Sequence, residues 1–409
     1  MHTLWTQRYA QRTQRMHSSA IRELFKLTEQ PSVISFAGGL PAAETFPIVE
    51  LQEACQRVLA EHGAQALQYG PTEGYRPLRE MIARHTARYG IAITPDHILV
   101  TSGAQQGLDL IGKVFINPGD RILVEEPTYV GALQAWHSYQ AEYVSVPLDA
   151  EGVQTDLVEA ALRSGPKFLY VLPNFHNPTG VTLSLARRMK LLTLANHYGV
   201  PIIEDDPYGQ LRYEGEHVSP LVVLDGRVHA HDDTPYSGNV LYLSTFSKTL
   251  APGLRLGWIV APVEVIERLV QAKQGADLHT SMLVQMVAYE VARDGFLDRH
   301  VRDIRVLYRE RRDAMLVALC HYFPPEASWT EPQGGLFIWV TLPPALDATE
   351  VLHAALAANV AFVPGTAFFA QGGGQHMMRL NFSCMAPDRI EEGIRRLGGV
   401  LTRLLGHSA

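Results

Sequence analysis

The chain has little cysteine: three in 409 residues. Cys55, Cys320 and Cys384 are far apart, and no two share a Cys-x-x-Cys spacing. That excludes a disulfide framework and a cysteine zinc site, and it fits a reducing compartment. No apolar run is long enough to span a bilayer. Positive charge is not in surplus either. The 35 basic residues against 42 acidic ones leave −7, with the two signs interspersed. This argues against nucleic acid or an anionic membrane as the main partner. Internal repeats and low-complexity tracts are also missing. The first 17 residues hold Arg8, Arg12 and Arg15 and no acid, a weak likeness to a transit peptide, but they are too polar for a secretory signal. A patterned segment from Ser18 to Thr28 follows directly. An ordered N-terminal arm and a cytoplasmic protein are expected.

Apolar residues make up 46% of the chain and charged residues 19%, as in ordinary globular proteins. The length exceeds one compact core, so two domains are expected. Short apolar runs at 98–101, 121–124, 143–146, 168–172, 201–203, 240–243 and 257–260 suit strands buried on both faces. Helical patterns lie between them, at 105–115, 130–138 and 186–198. This alternation predicts a mainly parallel sheet covered on both sides. After about residue 290 the texture changes. Amphipathic helices at 299–321, 351–358 and 387–405 alternate with a few strands, at 334–340, 360–363 and 378–383. That pattern predicts a smaller α+β domain.

The most informative stretch runs from Ser244 to Trp258. Lys248 stands among Thr245, Ser247 and Thr249, and Arg255 follows seven residues on, after a Gly-containing turn. The preceding run, Val240 to Leu243, reads as a strand. The lysine is thus placed where a strand runs out into a loop, a usual position for chemistry in open α/β folds. An amine beside hydroxyls and a guanidinium suits a cofactor with an aldehyde to condense and a phosphate to anchor, and pyridoxal phosphate (PLP) has both. Most lysines do no more than face solvent. A Ser-x-x-Lys site is set aside because Thr245 stands in place of its serine.

Further motifs line up with this lysine. They are Asn177 to Gly180 (Asn-Pro-Thr-Gly), the pair Asp205 and Tyr208, Lys248, and Arg255. With them the chain resembles the class I/II aminotransferases, PLP enzymes of fold type I, over nearly its whole length. Ile21 to Leu24, Ser35 to Pro41 and Ala272 to Asp277 resemble the group around 2-aminoadipate, kynurenine and aromatic aminotransferases. The resemblance implies a large α/β domain with a mainly parallel seven-stranded sheet sandwiched by helices, plus a smaller α+β domain. The expected division is an N-terminal arm with part of the small domain (1–48), the PLP-binding domain (49–295) and the small C-terminal domain (296–409).

By resemblance, Lys248 carries the cofactor as a Schiff base and later moves a proton. Asp205 pairs with the ring nitrogen and keeps it protonated. Asp206 is the competing carboxylate, and Asp205 is preferred because Tyr208 lies three residues on. Asn177 and Tyr208 meet the ring hydroxyl oxygen, and Tyr129 stacks on the ring. Ser102, Gly103, Ala104 and Gln105, with Thr245, Ser247 and Arg255, form a phosphate cup at a helix N-terminus. Tyr69 reaches the phosphate of the neighbouring subunit, which implies a two-fold homodimer.

For the substrate, the resemblance assigns Arg379 to the α-carboxylate and Gly39 to a backbone contact. Arg22 is a candidate for a side-chain carboxylate, or else a surface residue paired with Glu23. The stretch His229 to Asp233 is read as a polar loop, and no metal is expected. The expected partners are an amino acid and a 2-oxo acid such as 2-oxoglutarate. The amino acid is 2-aminoadipate, glutamate, or an aromatic or branched-chain one. Another PLP reaction, a β-lyase or decarboxylase, stays open because the same lysine and aspartate serve it. A transcription regulator is disfavoured: only about forty residues precede the motif-bearing body, without a basic helix-turn-helix pattern.

Overall fold

The structure, a computed structural model, describes residues 4–16, 32–87, 90–229 and 235–406. The first strand, β1 (Ile34–Ser35), lies outside the main sheet. Next come β2 (Ile98–Thr101), β3 (Arg121–Glu126), β4 (Glu142–Asp149) and β5 (Gly152–Val153). They are followed by β6 (Leu169–Val171), β7 (Ile202–Asp205), β8 (Val240–Thr245) and β9 (Gly257–Val260). These eight form one sheet in the order β2-β9-β8-β7-β6-β3-β4-β5. Strands β4, β3, β6, β7 and β8 run parallel, and β9 is antiparallel to both of its neighbours. Each of the seven apolar runs is a strand of this sheet. The eighth, β5, was not expected. It is a two-residue return of the chain against the end of β4, too short to show an apolar period.

Side chains alternate between two packed layers, as a pleated strand requires. Tyr170 and Ile203 face one apolar cluster, while Leu169, Val171 and Ile202 face the other. The first cluster continues into a second sheet formed by β10 (Ser328–Trp329), β11 (Phe337–Thr341), β13 (Val363–Pro364) and β14 (Met377–Asn381). The order there is β10-β11-β14-β13, all antiparallel. Between them in the chain, β12 (Val360–Ala361) pairs parallel with β1 and draws residues 34–35 to the C-terminal part. Among the described residues, no helix is long and apolar enough to cross a membrane.

Candidate active site

The C-terminal ends of parallel strands expose the groups that follow them, and here those ends meet the second sheet. Asp205 closes β7, Lys248 follows β8, and Tyr129 follows β3. Arg379 comes from the middle of β14 in the other sheet. Together they line a cavity of about 610 Å³. Of the expected residues, Gly39, Ala104, Gln105, Tyr129, Asn177, Asp205, Tyr208, Thr245, Ser247, Lys248, Arg255 and Arg379 all face it.

One wall is the start of the helix Ala104–Phe115, which β2 enters through Ser102 and Gly103. Gly103 has φ +86°, and a Cβ there would lie 2.4 Å from an Arg255 nitrogen. Gly257, at the start of β9, is equally constrained: its Cβ would stand 2.7 Å from the Ala104 nitrogen. Two glycines thus let the turn, the Arg255 side chain and the β8–β9 loop close on one another. The Gln106 N–H bonds back to the Gly103 carbonyl (3.2 Å); those of Ala104 and Gln105, ahead of it, have no partner within the helix and carry partial positive charge, a ready anion site. Thr245 and Ser247 add hydroxyls, 2.9 Å apart.

On the other side, Asp205 is 3% exposed. Its Oδ2 accepts from the Tyr170 hydroxyl (2.8 Å), while Oδ1 is buried without a partner. Burial, with Asp206 nearby, pushes its pKa up to about 7 against the pull of the Tyr170 bond. Lys248 Nζ donates to the Gly39 carbonyl (2.6 Å). Burial first, then the charges of Arg379 and Arg255, lower its pKa to about 8. Arg379 donates from Nη1 to Asn177 Oδ1 (2.8 Å) and from Nη2 to the Ala37 carbonyl (2.7 Å). Its guanidinium lies 4.2 Å from the Phe337 ring centre, and Nε has no partner. Burial lowers its pKa to about 10. Tyr129 is raised to about 12 by burial, and Tyr208 is raised for the same reason.

Of the remaining expected residues, Ser102, Gly103 and Tyr69 do not line this cavity. The Ser102 side chain turns away, to Asp277 (3.0 Å) and Thr280 (3.1 Å). Gly103 lies beneath Arg255. Tyr69 is 76% exposed, with its ring edge against His279. Arg22 falls outside the described residues, as do residues 230–234 of the polar loop. Sequence reasoning missed Tyr170, the group that holds Asp205, although its place in β6 matches that of Ile203 in the next strand. Gln134, Val130 and Leu172 also line the cavity without having been expected. No local motif marks them.

The chain matches the family described as aminotransferase class I and II over residues 32–397. It is 49% identical to the aromatic-amino-acid aminotransferase 1 of Thermococcus litoralis, over 93% of this chain and 91% of the relative. It is 46% identical to the 2-aminoadipate transaminase of Thermus thermophilus, over 98% of both. Among solved structures it resembles the α-aminoadipate aminotransferase of Thermus thermophilus in complex with N-(5'-phosphopyridoxyl)-L-leucine. The TM-score there is 0.92 at 42% identity, over 99% of this chain and all of that one.

Proposed function

This chain belongs to the class I and II aminotransferases, PLP-dependent enzymes of fold type I, and from that premise we propose which of its residues carry the reaction and which substrates it takes. The observation that carries the assignment is the unpartnered Oδ1 of buried Asp205, which shares one cavity with Lys248. A buried carboxylate oxygen left unpaired costs about 1–3 kcal/mol, so its partner is sought in a ligand. A protonated ring nitrogen suits it.

Bound in this cavity, the cofactor supplies an aldehyde carbon that takes and returns the amino nitrogen, and a ring that withdraws electrons from the substrate's α-carbon. Asp205 holds the proton on the ring nitrogen. Asn177 and Tyr208 would hold the ring hydroxyl, and Tyr129 would support the ring. The Ala104 and Gln105 N–H groups receive the phosphate at the mouth that Gly103 leaves open, together with Thr245, Ser247 and Arg255; Ser102 supports this turn from behind. Lys248, its pKa lowered to about 8 mainly by burial and so partly neutral at working pH, would be the group that holds the aldehyde covalently and, when free, the one that accepts the α-proton. Arg379 presents a planar fork to the α-carboxylate. Gly39, whose carbonyl already faces Lys248, bounds the substrate's other side.

The reading extends to the whole particle. The domains are an arm with part of the small domain (1–48), a PLP-binding body (49–295) and a small body (296–409). The pairing of β1 with β12 supports placing the arm's end with the small body. The active unit is a cytoplasmic homodimer in which exposed Tyr69, with exposed Leu67, Ile48 and Val49, faces the second copy.

The amino donors are 2-aminoadipate, glutamate, aromatic and branched-chain amino acids, with 2-oxoglutarate as the shared acceptor. The two named relatives support the first and third classes. A neighbouring cavity of about 680 Å³ shares Gln105, Val130 and Gln134 with the site and carries Arg15 and Met16, which supports long side chains. Arg22 is proposed for acidic ones. The test is to load the protein with PLP and supply each donor with 2-oxoglutarate, measuring glutamate and the new 2-oxo acid. Arg22→Ala should slow only acidic donors. Equal slowing of leucine and 2-aminoadipate would remove that role, and ammonia release in place of amino transfer would favour a lyase.

A further inference from the structure

Behind the phosphate turn lies a buried lysine that the proposed chemistry does not use. Lys273, in the last turn of the helix Val263–Gln274, is fully buried. Its ammonium donates to Asp277 Oδ1 (2.7 Å) and Oδ2 (2.9 Å) and to Gln106 Oε1 (2.8 Å). Asp277 Oδ2 also accepts from Gln106 Nε2 (2.7 Å) and Ser102 Oγ (3.0 Å). Ser102 Oγ lies 3.1 Å from Thr280 Oγ1, and the Ser102 N–H donates to Gln106 Oε1 (2.8 Å). Beyond their own segment, the described side-chain bonds of Lys273 and Asp277 fall on Ser102 and Gln106.

Those two residues bracket Gly103, Ala104 and Gln105, and the last two line the cavity. Taking an ammonium out of water is costly unless it is paired and hydrogen-bonded. Here Asp277, four residues on, supplies the countercharge, and the pair's remaining bonds anchor on the back of the turn, at Gln106 and Ser102. A turn with a glycine at φ +86° has many alternatives open to it, and a charged network fixes one.

We propose that Lys273 and Asp277 are positioning residues for the cofactor phosphate: they hold the Ser102–Gln106 turn so that its N–H groups converge, beside Arg255, on one anion. This rests on the reading of that turn as the phosphate site. It goes further by separating the groups that touch the anion from the pair that aims them.

The experiment titrates cofactor-free protein with PLP and, separately, with pyridoxal, which has the aldehyde but no phosphate, following the visible absorbance gained on bonding to Lys248. In Lys273→Met and Asp277→Asn, PLP should bind about tenfold more weakly or worse, while pyridoxal stays within about twofold of wild type. Inorganic phosphate should also compete less well against PLP in the variants. Thr280→Val, which removes only one hydroxyl, should show the same selectivity at smaller amplitude, and it carries the test if the charge variants do not fold. Unchanged PLP binding, or equal losses for PLP and pyridoxal, would overturn the proposal. Wild-type protein that bonds neither compound would instead overturn the reading of the site itself.

Discussion

Two sets of buried polar groups in this molecule differ in one respect. In the first, Arg188 donates to the carbonyls of Leu183 (2.9 Å), Ser219 (3.0 Å) and Pro173 (2.9 Å) and to Asn174 Oδ1 (2.6 Å). Asp206 accepts from Asn174 (3.0 Å) and Tyr242 (3.2 Å). Lys273 finds three contacts. In the second, the same three residue types fall short. Arg379 keeps Nε unpaired, Asp205 keeps Oδ1 unpaired, and Lys248 donates to one carbonyl. Burial does not separate the two sets; unused bonding capacity does. Isolated orphans occur elsewhere, at Ser145 Oγ and Arg311 Nε, but here three ionisable groups fall short around one space. A saturated network fixes the fold, and an unsaturated one awaits a ligand.

The largest effect should come from the lysines. Lys248→Ala should slow the half-reaction with glutamate by about 10⁴-fold, because it removes both the proposed covalent anchor and the proposed proton carrier. Its melting temperature should hardly move, since a single hydrogen bond is lost. Lys273→Met should instead lower the melting temperature markedly, beside its weaker hold on PLP. Single-turnover absorbance and calorimetry separate the two. A Lys248→Ala protein that turns over normally would break the comparison at its root.

The carboxylates come next. Asp205→Asn should slow the half-reaction by about 10²–10³-fold, the usual worth of one well-placed charge in a preorganised site. Asp206→Asn should instead cost about 1–3 kcal/mol of stability and leave the turnover of folded protein within a few-fold. Urea titration and single-turnover rates on both variants decide it. The opposite pattern would reassign the ring contact to Asp206.

This pair also marks how far the sequence could be read. The strands, and the points where Asp205, Tyr129 and Lys248 leave them, were legible because buried parallel strands are short apolar runs and chemistry follows their ends. Arg379 and Asn177 were legible from the family motifs, and the structure brings them within one hydrogen bond of each other. What stayed hidden depends on side-chain direction and on contacts between distant segments. Ser102 belongs to the turn proposed for the phosphate, yet its hydroxyl points backward to Asp277. Tyr170 holds Asp205 from 35 residues away. The Lys273 network joins segments 167 residues apart. No local period encodes such pairings.

The arginines should give a smaller, cleaner contrast. Arg379→Lys should raise KM for the amino donor about tenfold or more while the melting temperature stays near wild type, because lysine replaces a fork with a point charge. Arg188→Met strands three acceptors at once, those of Leu183, Ser219 and Asn174, so its loss should fall on stability, by about 3–5 kcal/mol, with KM unmoved in the protein that remains folded. Steady-state kinetics beside thermal unfolding tests this; a KM effect in both variants would erase the distinction.

The smallest effect is a slope. In cofactor-free protein, burial raises Asp205 from 3.8 to about 7. Between those values the folded chain keeps a proton that the unfolded chain has lost, so stability falls as pH rises through that window. Lys248, lowered from 10.5 to about 8, acts higher and with the opposite sign. There the unfolded chain holds the proton that the folded one has released, and stability rises with pH. Asp205→Asn removes only the lower slope. At pH 4 the carboxyl is already neutral in the folded state, so variant and wild type should melt together. By pH 7 the variant should melt about 2 °C higher or more, because it no longer carries an unpaired charge. Saturating PLP should close that gap by giving wild-type Asp205 the partner it lacks. A melting difference that stays constant across pH would mean that Oδ1 is not waiting for a ligand, and Asp205 would then belong with Asp206 in the saturated set.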